Sequence, residues 1–88
     1  MEVKVIKDDK SELTFELDNQ TVAELLRVEL NKDDDVELAA WKKEHPEKPV
    51  LFEIKTSGKS AKKVLQDAIE AISKQLDKVQ DEFKKALK

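Results

Sequence analysis

The chain has two features that could bind a metal ion: the acidic run Asp33-Asp34-Asp35 and the single histidine, His45. Carboxylate oxygens suit a hard cation, but such sites gather their ligands at the spacings of a turn, whereas consecutive side chains of an extended run diverge. Zinc sites use Cys and His together, and this sequence has no Cys and no second His. We therefore interpret the acidic run as a solvated turn. We interpret His45 as a loop residue that fixes a turn or contacts a neighbouring subunit.

Gly58-Lys59-Ser60 resembles the end of a phosphate-binding loop. The frame G-x-x-x-x-G-K-[ST] requires a glycine at position 53, and this chain has Glu53 there. We interpret Ser60 as the N-cap of a helix, although the start of that helix, with Lys62 and Lys63 nearby, could still attract a phosphate. The serines show no pattern of a nucleophile with its base. We therefore expect no catalytic residue, no cofactor and no small-molecule substrate.

The balance of charge disfavours nucleic acid as a direct partner. The chain has 20 acidic and 17 basic residues, a net charge of -3 and a pI of about 5.2, whereas nucleic-acid-binding surfaces are basic. All the basic side chains except Arg27 are Lys, and Arg is the usual reader of guanine and phosphate. Trp41, which precedes Lys42 and Lys43, is therefore interpreted as a packing residue of the core or of an interface.

Length and hydropathy set the class of protein. No apolar run approaches the ~20 residues that span a membrane, and the N-terminus lacks the apolar run of a signal peptide. We therefore expect a cytoplasmic protein with no membrane partner. A chain of 88 residues suits one domain better than two, so we expect residues 1–88 to form a single domain.

Alternation of apolar and polar residues predicts four strands, and a polar turn at residues 8–11 joins the first two into a hairpin. In the third strand, Val36, Leu38 and Ala40 alternate with Glu37 and Ala39. The predicted strands lie near residues 2–7, 13–17, 36–41 and 50–54. His45–Pro49 contains two prolines and is predicted to be a loop between the last two strands.

A first helix is predicted over residues 21–32. Thr21 and Glu24 have the spacing of a capping box, and Leu25, Leu26 and Leu30 follow at helical spacing. A second helix, from about Ser60 to Leu87, has an unbroken heptad seam. The seam consists of Leu65, Ile69, Ile72, Leu76, Val79, Phe83 and Ala86. The sequence thus predicts an α+β fold of order ββαββα: a four-stranded antiparallel sheet with one short helix and one long C-terminal helix.

The length of the last helix predicts a partner. A helix of about 27 residues is roughly 40 Å long, whereas strands of about six residues cover only about 20 Å. The helix would therefore overhang its own sheet, and each large apolar side chain left in water would forgo about 1.5–3 kcal/mol. Because the flanks of the seam are mostly small or uncharged, we predict a four-helix interface with two helices from each partner. The predicted interface residues are Val22, Leu25, Leu26, Leu30, Ile72, Leu76, Val79, Phe83 and Ala86.

The element order and two local motifs resemble archaeal RNA polymerase subunit L. That family carries D-H-T-L-x-N-L-L-R at the first helix, and residues 19–27 read N-Q-T-V-A-E-L-L-R. It later carries V-x-F-A-[AS]-Y-x-x-x-H-P, and residues 36–46 read V-E-L-A-A-W-K-K-E-H-P. Among the departures are Gln20, Glu24 and Trp41, which stand where the family has His, Asn and Tyr.

The resemblance implies an alpha-subunit dimerisation-like fold and a role in transcription. The chain would be a non-catalytic assembly subunit of DNA-directed RNA polymerase, a nucleotidyltransferase. It would pair through its two helices with the other alpha-like subunit of the archaeal enzyme, the D-type subunit. This heterodimer would form the platform on which the two large catalytic subunits assemble. The absence of a cofactor and of direct contact with nucleic acid is expected from the residues themselves and agrees with such a role.

Two other classes of function remain open from the residues. One is a homodimeric helix-mediated interaction module unrelated to transcription. The other is a small nucleic-acid-binding protein that uses its sheet. The heptad seam and its uncharged flanks favour either pairing function over nucleic-acid binding. Only the motif from Leu38 to Pro46 favours the assembly subunit over the homodimer.

Overall fold

The computed structural model describes residues 2–74 and 79–86 of the chain. In chain order the elements are β1 (Val3–Asp8), β2 (Glu12–Leu17), α1 (Gln20–Leu30), β3 (Val36–Lys42), β4 (Val50–Thr56), α2 (Ala61–Ser73) and α3 (Val79–Ala86). All the pairings within the four-stranded sheet are antiparallel. The predicted α+β fold of order ββαββα is therefore confirmed, with α2 and α3 in the place of the last helix.

The sheet has the strand order β1-β2-β4-β3, so β2 and β4 lie at its centre. In that central pair, Leu13 lies opposite Ile54 and Phe15 lies opposite Phe52. Residues directly opposite each other in an antiparallel pair share a face. The apolar side chains of both central strands therefore lie on one face, and all four of these are buried there.

Both edge strands contain an irregularity that the central pair lacks. The pairing register shifts between Val5 and Lys7 in β1 and between Val36 and Leu38 in β3. A bulge of this kind places an extra residue on one strand, so the residues beyond it exchange faces.

The bulge in β3 decides which residues of that strand reach the core. Ala39 and Trp41 lie opposite the buried Ile54 and Phe52, so Ala39 is buried and Trp41 packs against the core. Leu38 lies on the opposite face and is half-buried. The regular alternation expected for this strand is therefore wrong, because it assumed a constant register.

The helices α1 and α2 pack against each other and cover the inner face of the sheet. Their buried side chains fill the space above the central strands. The helical part of the core consists of Val22, Ala23, Leu26 and Leu30 from α1 and Ala61, Val64, Leu65, Ala68, Ile69 and Ile72 from α2. The outer face of the sheet carries mostly polar side chains of β2 and β4, together with Leu38, Ala40 and Leu51.

The N-terminus of α1 differs from the predicted one. Asn19 is the N-cap, and its side-chain oxygen accepts a hydrogen bond from the backbone N–H of Val22 at 3.1 Å. The predicted capping box of Thr21 and Glu24 is therefore wrong. Both residues lie inside the helix, where the Glu24 carboxylate is free to make other contacts.

The turn before α2 contains the chain's one glycine. Gly58 has a φ of +84°, a conformation that costs glycine little and other residues more. Two residues later, Ser60 caps α2 as predicted, because its hydroxyl oxygen accepts a hydrogen bond from the backbone N–H of Lys63 at 3.3 Å.

The C-terminal helices differ from the single long helix that the heptad seam predicts. α3 packs against β1 and against α2. The final helix therefore turns back over the sheet instead of projecting beyond it.

Burial of Phe83 explains why α3 returns to the sheet. Phe83 is 1% exposed, and its ring meets the Phe15 ring edge-on, with centroids 5.6 Å apart and an interplanar angle of 87°. Phe15 also stacks on Phe52 at 5.2 Å. The heptad seam predicts that a partner buries Phe83, whereas the chain's own aromatic core buries it.

We expect Phe83→Ala to destabilise the isolated chain by about 3–5 kcal/mol, because it removes a fully buried aromatic side chain and leaves a cavity. Urea denaturation would measure the free energy of unfolding. Lys85→Ala is the matched control, since Lys85 is an exposed residue of the same helix and should change stability by no more than about 0.5 kcal/mol. Equal stability of the two variants would contradict the packing of α3 on the sheet.

Candidate partner interface

Most side chains predicted to contact a partner are buried in the chain's own core. Val22, Leu26, Leu30, Ile72 and Phe83 are each at most 3% exposed. In the single chain these side chains pack beneath α1, α2 and α3 against the sheet. Their contact with a partner stays a prediction, which this burial does not support.

The other predicted interface residues have a different status. Leu25 and Ala86 are half-buried, so each presents part of its side chain to solvent. Leu76 lies outside the described residues, and so does the side chain of Val79. For Leu25, Leu76, Val79 and Ala86 the contact with a partner stays a prediction.

One exposed apolar residue on α1 is absent from the predicted interface. Val28 is 46% exposed and lies three residues after Leu25, so the two side chains are neighbours on the outward side of the helix. The i,i+3 spacing of Leu25 and Val28 could have identified Val28 from the sequence. The predicted interface, however, included only the stripe of α1 that contains Val22, Leu25, Leu26 and Leu30. Ile6, at the irregularity in β1, is also exposed, at 53%.

A cluster of polar contacts joins α1 to the edge strand β3 beside these apolar residues. The Glu24 carboxylate accepts hydrogen bonds from Nε and from a terminal nitrogen of Arg27, at 2.7 Å and 2.8 Å. The indole N–H of Trp41 donates to the same carboxylate at 3.2 Å. Glu24 therefore connects a residue of its own helix with an aromatic residue 17 positions away in the sequence.

These donors stabilise the charged form of Glu24. The hydrogen bonds from Arg27 and then from Trp41 lower the pKa of the Glu24 carboxyl from 4.5 to about 2. The same contact raises the pKa of Arg27 above its ordinary value. At neutral pH the cluster is thus a fixed carboxylate and guanidinium pair with the indole attached.

The acidic run binds a cation of the chain itself. Nζ of Lys59 lies 3.3 Å from a carboxylate oxygen of Asp33 and 3.2 Å from one of Asp35. Hydrogen bonds to Asp35 and Asp33 raise the pKa of Lys59, and a hydrogen bond from the backbone N–H of Asp35 lowers the pKa of Asp33. These pairs connect the loop after α1 with the turn before α2. Within residues 2–74 and 79–86, no group of three acidic or histidine side chains could hold a metal ion.

His45 lies in the exposed loop between β3 and β4. Its backbone carbonyl accepts a hydrogen bond from the N–H of Lys48 at 3.1 Å, as expected for a residue that fixes a turn. In the part of the chain that the structure describes, no helix is long and apolar enough to cross a membrane.

We expect the Glu24 carboxyl to titrate well below pH 4.5 when followed by NMR. Because the folded pKa is lowered, the Glu24 contribution to stability is complete above about pH 4.5 and is lost as the pH falls toward 2. Arg27→Ala should raise the pKa of Glu24 more than Trp41→Phe does, because Arg27 is the larger cause. An unchanged pKa in both variants would contradict the cluster.

Comparison with known proteins places the fold and the family. The family model described as the RNA polymerase Rpb3/Rpb11 dimerisation domain matches residues 10–82. Among solved structures, the chain is similar to DNA-directed RNA polymerase subunit L from Thermoplasma acidophilum, with a TM-score of 0.72 and 23% sequence identity. That match covers 94% of this chain and 85% of the other. The search of curated proteins gives no significant match.

The two kinds of match agree with the motifs at residues 19–27 and 36–46, and they confirm the resemblance to archaeal subunit L. The structural match has low sequence identity and establishes the shared fold, whereas the family model spans most of the sequence. The chain therefore belongs to the family of RNA polymerase Rpb3/Rpb11 dimerisation domains.

Proposed function

We propose that the chain is a non-catalytic assembly subunit of an archaeal DNA-directed RNA polymerase and that it pairs with the D-type alpha-like subunit. The observation that carries this proposal is the family match over residues 10–82, which include all of α1 and α2. The resulting heterodimer forms the platform for the large catalytic subunits in the cytoplasm. Residues 1–88 act as one dimerisation domain, and the catalytic groups and any nucleic-acid contacts belong to the other subunits.

The outward side of α1 is the surface that we assign to the partner. Val28 is exposed and Leu25 is half-buried beside it, so together they form the apolar surface that α1 presents to solvent. The exposed positions of α2, in contrast, are Lys63, Gln66, Asp67 and Glu70. Ala86 at the end of α3 remains a second point of contact.

The side chains buried within the core contribute to pairing indirectly. Val22, Leu26 and Leu30 anchor α1 on the sheet and on α2. They hold the helix in the orientation that presents Val28 to solvent. Their role is therefore to fix the position of α1 in the fold, while other side chains of the helix contact the partner.

Light scattering of the purified chain, alone and mixed with an archaeal D-type subunit, tests the proposal. We expect a stable one-to-one complex whose mass is the sum of the two chains. A homodimer that is indifferent to the D-type subunit would overturn the proposal in favour of a self-pairing helix module unrelated to transcription.

We expect Val28→Glu to weaken the complex with the D-type subunit by about tenfold or more, because it places a charge in a desolvated contact. Val28 is exposed, so the isolated variant should unfold at the same urea concentration as the wild type. Ser11→Glu is the control, since it adds the same charge in an exposed turn between β1 and β2. Equal affinity of the two variants, measured by isothermal titration calorimetry, would place the interface elsewhere.

A further inference from the structure

Side chains of α1 and of the edge strand β3 lie around one open groove. Gln20, Glu24 and Trp41 line this groove of about 520 Å³ together with Thr21 and Leu25. Gln20 and Glu24 come from α1, and Trp41 comes from β3. The structure thus brings residues of two elements to one surface site, next to the apolar side of α1 that carries Leu25.

The charges of this groove are already paired within the chain. The Glu24 carboxylate accepts hydrogen bonds from Arg27 at 2.7 Å and 2.8 Å and from Trp41 at 3.2 Å. A charged side chain entering the groove would have to break the bidentate pair of Glu24 and Arg27 to gain a charged partner of its own. The remaining groups, from Gln20, Thr21, Leu25 and the indole, are uncharged. By charge complementarity, the groove fits an uncharged side chain.

Glu24 also fixes the position of the indole. Trp41 stands on the edge strand β3 and packs against the core while remaining partly exposed. Its N–H is its one polar group, and the hydrogen bond to Glu24 determines which part of the ring forms the wall of the groove. The same bond couples α1, which carries Leu25, to that ring.

We propose that this groove selects the partner: it receives an uncharged side chain of the partner subunit, with Trp41 as the specificity-determining contact and Glu24 as the positioning residue. The inference rests on the proposed function, since the occupant is the alpha-like subunit that pairs with the chain. Beyond the proposed function, the affinity for that subunit depends on the hydrogen-bonded pair of Glu24 and Trp41.

The test is a double-mutant cycle on binding to the archaeal D-type subunit, measured by isothermal titration calorimetry. Trp41→Phe and Glu24→Ala should each weaken the complex by about 5- to 20-fold. The double variant should be no weaker than the weaker single variant, because both changes remove the same contact. Glu24→Gln should recover most of the affinity, because its amide oxygen can still accept the indole hydrogen bond.

Two controls separate a positioning role from a general effect on stability. Glu29→Ala removes an ion pair of the same i,i+3 type on the same helix, with Lys32 at 3.0 Å, and should leave affinity unchanged. Glu24→Ala should lower the urea midpoint only slightly, as expected for the loss of an exposed ion pair, while the indole N–H resonance of Trp41, the chain's one Trp, shifts. A fall in affinity that only parallels a fall in stability would overturn the inference.

Two further measurements distinguish the remaining outcomes: the salt dependence of the affinity, and whether the wild type binds the D-type subunit at all. The affinity ratio between wild type and Trp41→Phe should stay constant from low to high salt, and a ratio that collapses at high salt would overturn the assignment of an uncharged occupant. If the wild type binds the D-type subunit and both single variants bind equally well, this inference fails and the proposed function stands. If the wild type does not bind, both fail.

Discussion

The stack of Phe15 on Phe52 is the contact on which the rest of the structure depends. The two rings lie on the central strands with their centroids 5.2 Å apart, and neither is exposed. Because β2 and β4 each pair on both sides, the position of these rings holds the register of the whole sheet. The edge of Phe83 joins them, so the three Phe side chains of the chain meet in one cluster. A small domain has few other sources of apolar burial of this size.

Local patterns were sufficient to predict the elements, but they did not reveal changes of register or the competition between N-cap residues. The alternation of Leu13, Phe15 and Leu17 identifies β2, because an alternating pattern alone is enough to predict a strand that is buried on one face. In β3 the same reasoning fails after Val36, since a bulge leaves no mark on composition. At α1, Asn19 competes with Thr21 for the N-cap, and both residue types favour that position.

The candidate site was harder to predict, because spacing within a helix does not say what covers each side. Heptad spacing correctly groups Phe83 with the seam, but the aromatic cluster of the same chain offers that ring a buried position. The outward Val28 follows Leu25 at a spacing that was visible in the sequence. The contact of Glu24 with Trp41 was not visible, because it joins two elements whose juxtaposition depends on the folded sheet.

The irregularities in β1 and β3 also affect how molecules meet at high concentration. A straight edge strand presents a regular row of unpaired N–H and C=O groups, which is a template for intermolecular sheet extension and fibril growth. Here the register is interrupted on both edges, whereas the protected β2–β4 pair is regular. Each edge therefore offers an incoming strand only a short run of hydrogen-bonding groups. The exposed Ile6 lies at the interruption in β1, where regular pairing with another strand cannot continue. The interruptions therefore disfavour open-ended extension of the sheet through either edge.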